Sequence, residues 1–431
     1  MTLGHPTRRQ LVSGLGKSIG VTLAVLAAPR GARAQTAPAK PLPELADGYR
    51  LLRPKFAKLP LRGPDRPGTV AQCFDGSAPG PLLRVRQGEE LKARLVNSLP
   101  DPVSVHWHGV RAPAAIDSAP AVKPGDSFDY RFTPPDAGTF WYHAPFDASD
   151  VTARGLYGAL IVDERAPPDI DRDVLLVFDN WKLGSDGVLG REGNHFTANG
   201  APAFDIAVKA NERLRLRLLN AAPHRVMTLT FGRHEPTVMA IDGQPAQPFV
   251  ANGGMVVLGP GSRVDVFVDM TLKPGETATL NAEGTALARF VYDAGAPARP
   301  VPRDGAAPLP ANPLPEKMDL AGALRADIVL PMAQVGISSK PMFTAARGRT
   351  VVLACDNRTA NAQAVHLHGH HFRLLDRLDD GWKPFWLDTL VAPPKQVWRI
   401  AFVADNPGRW AVESRMIGGT ETAAAVSFEV V

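Results

Sequence analysis

The chain has 431 residues, 45% hydrophobic and 21% charged, with 41 prolines and 39 glycines, which suits several domains built from short strands and turns. Its net charge of +5 is accounted for by Arg8, Arg9, Lys17, Arg30 and Arg33, with no acid before residue 35, so the remainder is neutral. That balance excludes the electrostatic footprint of a nucleic-acid-binding protein.

Residues 1–34 read as an export signal. Thr7-Arg8-Arg9-Gln10-Leu11-Val12 has a twin-arginine pattern, and Ala32-Arg33-Ala34 has the small-x-small form of a cleavage site. The apolar run from Ile19 to Ala28 is too short and too rich in Ala and Gly for a membrane span. The expectation is a periplasmic protein, cleaved after Ala34, with no span in the mature chain. Its two cysteines, Cys73 and Cys355, either pair in that oxidising compartment or are two buried strand thiols.

Residues 35–70 are a Pro-rich arm. Short strands then follow at Leu82–Val85, Leu91–Val96, His106–His108, Ser127–Phe132, Thr139–Tyr142 and Ala159–Val162. The plan returns 260 residues later: Gly88 matches Gly348, Asn97 matches Asn357, and His106, His108 and Gly109 match His366, His368 and Gly369. The back half repeats at an offset of 270, with Phe132 matching Phe402 and Gly138 matching Gly408. A middle copy, Asn211–Asn220, carries Leu229 and Phe231 where the others have histidines, and reads as a spacer. An all-β fold of three Greek-key β-sandwiches fits the period. The predicted domains are 35–165, 166–296 and 321–431. A connector over 297–320 holds seven prolines between 297 and 315 and is expected to wrap the surface.

On a strand, residues two apart share a face, so His106 and His108 project together, and so do His366 and His368, while Leu367 turns into a core. One such pair is as readily two ordinary buried histidines. Two in matching contexts indicate a metal site, and imidazole alone leaves copper, zinc, iron or nickel open. His370 reads as lying behind the ligands or exposed, His371 as surface, and His195, His224 and His234 as ordinary surface or turn residues of the middle domain.

Several motifs together resemble three-domain multicopper oxidases, the group of laccases and copper-efflux oxidases. They are His-Trp-His-Gly at 106–109, Gly-Thr-Phe-Trp-Tyr-His at 138–143, Gly-Leu-Tyr-Gly at 155–158, His-Leu-His-Gly-His at 366–370 and Asn-Pro-Gly-Arg-Trp at 406–410. The resemblance implies cupredoxin domains, a trinuclear copper cluster between domains 1 and 3, and a mononuclear blue copper in domain 3. It places His106 and His366 on the type 2 copper, His108 and His143 with Arg415 on one type 3 copper, and His368 with Pro145 and Glu413 on the other. Blue-copper positions fall on Gln363, Ser414, Gly419 and Ala424. Serine in place of a thiolate, and glycine in place of an imidazole, predict no blue copper.

Arg415 has no lone pair to give. A Glu413–Arg415 ion pair, or either residue bonded to groups across the interface, is expected to fill the vacated volume, the alternative being Glu413 as an oxygen ligand to copper with His368. The functional expectation is an exported protein that binds one type 2-like copper, or a second beside it, without laccase-type turnover. The alternative is a metal-free scaffold that acts through a protein partner in the cell envelope, similar to copper-free relatives associated with cell division. No other cofactor and no catalytic residue are assigned.

Overall fold

The computed structural model describes residues 45–144, 155–190, 193–332, 340–375, 382–419 and 423–431. Residues 1–34, expected to be an export signal, and Pro145 lie outside these residues. Alternation of buried and exposed side chains, as in Leu91–Val96, turns one face of each strand inward.

The first sandwich sets a sheet ordered Arg50–Leu52, Leu91–Val96, Ser127–Phe132 against one ordered Leu83–Arg86, Tyr157–Asp163, Gly138–His143, His106–His108. Trp107, Tyr130, Phe132 and Tyr142 fill its core. The middle sandwich pairs a six-stranded sheet around Arg213–Asn220 with a five-stranded sheet around Thr277–Ala282. In the third, Gln363–Leu367 lies between Gly408–Met416 and Thr389–Ala392. A second sheet packs behind it around Thr350–Asn357, with Leu367 in the shared core.

The internal repeat is visible atom by atom. Asn97, Asn220 and Asn357 are buried, and each amide donates to one carbonyl of the following loop and one farther along the chain: Asp101 and Val122, Arg225 and Leu258, Asn361 and Ala392. Nine residues before each, Gly88, Asn211 and Gly348 take left-handed backbone at φ 89°, 61° and 83°. That conformation is open to glycine and tolerated by asparagine.

The 297–315 stretch packs along the body. Leu309 joins Met239 and Phe267, and Leu314 packs on Met318, Val352 and Trp386. Asn312 donates to the Ala137 carbonyl at 2.8 Å and to Gln244 at 2.9 Å, tying the connector to the first two sandwiches.

Cys73 and Cys355 are free, buried thiols, pushed up to about 11 and about 12 by burial. A thiol that cannot ionise does not react. We expect both to resist a thiol reagent in the folded protein and both to titrate in denaturant without reductant. Fewer than two in denaturant would contradict the free state.

Candidate metal centre

His106 and His108 sit on a three-residue strand whose central Trp107 turns into the core against Tyr130 and Phe132. His143 ends the neighbouring strand, directly across from His106. In the third sandwich the same register places Glu413 directly across from His366. The glycine after each pair permits a close approach. A Cβ at Gly109 would overlap Arg263 and Asp388, and one at Gly369 would overlap the Trp410 ring.

The two sandwiches meet at these residues. His106 Nε2 lies 3.1 Å from His366 Nε2. His108 Nδ1 lies 3.2 Å from His143 Nε2. His368 Nε2 lies 3.2 Å from Glu413 Oε1, an electrostatic contact rather than an aligned hydrogen bond. The five histidines of the sequence reading therefore converge, all of them buried.

The second nitrogen of every ring is committed outward. His106 Nδ1 faces Asp117 Oδ1 at 2.6 Å and His368 Nδ1 faces Asp117 Oδ2 at 2.7 Å. His366 Nδ1 faces the Asp388 carbonyl at 2.9 Å, and His143 Nδ1 the Ala144 carbonyl at 2.7 Å. His108 Nε2 lies 3.1 Å from Thr389 Oγ1, whose own hydrogen goes to Asp388 Oδ1 at 2.8 Å.

These contacts fix the tautomers. A carbonyl or a carboxylate only accepts, so the outer nitrogens of His106, His143, His366 and His368 carry the hydrogen. Thr389 has spent its donor, so His108 Nε2 carries one too. The inner nitrogens of His106 and His366, and of His108 and His143, then turn lone pairs on each other, whereas His368, held charged by its two carboxylates, carries a second hydrogen on Nε2 toward Glu413. Lone pairs facing at 3.1–3.2 Å repel unless a cation lies between them. Two ligands held at about 2.0–2.1 Å from one ion, at right-angled to tetrahedral spread, sit roughly 2.9–3.4 Å apart. The donor atoms fit a metal ion, and the outward oxygen partners are what metal-binding histidines require.

The electrostatics agree. Burial pushes His366 down to about 4 and holds His108 and His143 well below the usual histidine range. Neutral imidazole is the metal-binding form. Burial would also lower His368, but Asp117 and Glu413 outweigh it and raise this ring to about 10. Burial likewise opposes the charge on Asp117, and His106 and His368 prevail and hold its carboxyl well below the usual range.

Several residues of this centre were missed in the sequence. Asp117 stands at the end of a four-residue helix, Ala114–Asp117, and serves both sandwiches. Asp388 faces His108 and His366 and is held by Arg263 of the middle sandwich, at 2.9 and 2.5 Å. Arg263 also donates to the carbonyls of Gly261, Asp242 and Thr139, so three domains meet on one guanidinium. The middle sandwich thus does more than space the other two.

Other positions differ from the sequence reading. His371 is 3% exposed, because Gln244 and the Asp242 carbonyl of the middle sandwich cover it, each 3.3 Å from Nε2. His370 is buried, with Nδ1 on the His368 carbonyl at 3.1 Å. His234 is buried against Tyr292, and His224 donates to the Met416 carbonyl across the domain seam. His195 is half-buried on the Leu61 carbonyl.

Glu413 turns toward His368, and Arg415 is buried beside Glu413. Gln363 and Ser414 are buried on adjacent strands, and Ala424 pairs with Ser414. A side chain at Gly419 would meet Met416. A recess of about 370 Å³, including space open to solvent, reaches His108, His366 and Glu413 from between Trp141, Pro223 and Pro260.

Residues 63–167, 175–287 and 310–431 each match a family model described as multicopper oxidase. The fold is similar to the crystal structure of a multi-copper oxidase from Pseudomonas thermotolerans. The TM-score is 0.80 at 30% identity, over 88% of this chain and 98% of that one. The chain belongs to the multicopper oxidase family. It is also similar to the structure of Lac15 from a marine microbial metagenome, at TM-score 0.76 and 31% identity over 87% and 98%. The multicopper oxidase MmcO of Mycobacterium tuberculosis is 28% identical over 84% of this chain and 82% of its own. Membership of this oxidoreductase family implies copper. Among the described residues no helix is long and apolar enough to cross a membrane.

Proposed function

We propose that this multicopper oxidase family member is an exported, periplasmic copper protein. It holds a type 2-like ion between His106 and His366, with a second position at His108 and His143, and lacks a thiolate-ligated blue copper. The observation that carries the reading is the 3.1 Å approach of His106 Nε2 to His366 Nε2 with both outer nitrogens spent on oxygen acceptors.

The positions that the resemblance assigns to blue copper offer an amide, a hydroxyl, a methyl and a bare backbone at Gln363, Ser414, Ala424 and Gly419. None is a soft ligand, and Cys355 is buried in the core behind the ligand strand. Electron delivery by a separate copper is therefore not expected, nor is laccase-type turnover. Bound copper would supply one-electron redox chemistry. The chain supplies the rest: Asp117, Asp388 and Thr389 orient the imidazoles, and the recess reaches the cluster beside His366.

Copper(II) titration followed by electron paramagnetic resonance tests this. The wild-type protein is expected to develop a type 2-like signal without an intense thiolate-to-copper absorption. His106→Ala combined with His366→Ala should abolish the signal. An unchanged signal in that variant would overturn the reading. It would favour the second one, a metal-free scaffold with an envelope partner, which the missing blue-copper donors already suit.

A further inference from the structure

We propose that His368 and Glu413 form a mixed nitrogen–oxygen position that takes a zinc(II)-class divalent cation, so that the loaded protein carries zinc beside copper. This rests on the copper reading above and adds a different ion at a different pair.

The register shows how the position arises. His106 and His143 are cross-strand partners in the first sandwich, and His366 and Glu413 are the corresponding partners in the third. A carboxylate therefore stands where the repeat would put an imidazole. It points into the cluster: Oε1 is 3.2 Å from His368 Nε2, the same spacing as His108 to His143. Glu413 Oε2 is buried and makes no hydrogen bond among the described residues. A buried acceptor left in that state costs stability unless a cation or proton reaches it. His368 is already oriented for an ion, because Asp117 fixes Nδ1 from outside.

Charge also fits. Around His368 lie two carboxylates, Asp117 and Glu413, and one guanidinium, Arg415. A cation would take the place of the Nε2 proton that His368 holds between these carboxylates. Donor hardness selects among ions. A copper that cycles to copper(I) prefers soft or imidazole ligands, whereas zinc does not cycle and accepts imidazole and carboxylate at similar distances. The third ligand that the resemblance assigns here falls on Pro145, whose side chain has no donor atom. Water would fill the coordination positions beyond these two protein donors.

The test uses the purified mature protein, loaded with copper and dialysed, then titrated with zinc chloride. Zinc per chain is measured by plasma mass spectrometry, with copper resonance followed in parallel. Wild type should retain zinc with its copper signal unchanged. Glu413→Gln, nearly isosteric and uncharged, should lose the zinc and keep the copper, and its thermal melt would show that it folds. Glu413→His should take copper in place of zinc. No zinc retained by wild type, equal retention by Glu413→Gln, or zinc displacing the copper signal would each overturn the proposal. Loss of the copper reading alone would appear separately, as copper binding indifferent to His106 and His366.

Discussion

Arg263→Met is expected to destabilise the metal-free protein by about 3–5 kcal/mol, the usual cost of stranding one partner of a buried ion pair. Arg263 is fully buried, and its guanidinium grips both oxygens of Asp388, which is fully buried as well. Asp242 lies on the other side, pushed up to about 7 by burial and by Asp388. Arg263 is what keeps Asp388 ionised: burial would raise that carboxyl, and the guanidinium holds it well below the usual range. Methionine fills much of the volume but leaves two facing carboxylates without a cation.

Urea denaturation of the wild type and the variant measures the loss. Adding Asp388→Asn should recover part of it, because the stranded charge is then gone. A loss below roughly 1 kcal/mol for the single variant would mean that the pair is not a net contributor. Copper affinity should fall too, since Asp388 faces His108 at 3.4 Å and its carbonyl orients His366.

Asp117→Asn should weaken copper binding at the His106–His366 position by about 10–100-fold with little change in fold, the range seen when an outer partner of a ligating histidine is lost. Asp117 accepts from two rings at once, one oxygen each. An asparagine can accept from one ring, but its NH2 group then faces the other. That ring must move its hydrogen to the inner nitrogen, where the metal needs a lone pair. Competition titration against a copper chelator gives the affinity. A change under roughly threefold would show that the tautomers are held by something else.

Much of this architecture was legible in the sequence. Two-residue alternation marked the strands, and the Ser127–Phe132 strand has the bounds read from it. The spacing of His106 with His108 and of His366 with His368 marked a chelating face, because strand geometry ties neighbours two apart to one side. The surrounding residues carried no such mark. Asp117, Asp388, Asp242 and Arg263 are single polar residues at the ends of short elements or in turns, and partners such as Arg263 for Asp388 and His368 for Asp117 lie 125 and 251 positions away. The nearest signal was Asp117, nine residues beyond His108 with no charged partner beside it in the chain.

What the sequence determined by itself was local and periodic: strands, the threefold repeat, the two imidazole pairs, and the absence of a thiolate after Val412. Repetition fixes these, because each depends only on neighbours along the chain. Which nitrogen faces inward, which ring is held between two carboxylates, and whether a histidine is exposed depended on surfaces brought together from distant segments. His371 passed from expected surface to interior because the middle sandwich closes over it. Glu413 faces His368 because the register of Gly408–Met416 against Gln363–Leu367 sets it across from His366, at the edge of the cluster.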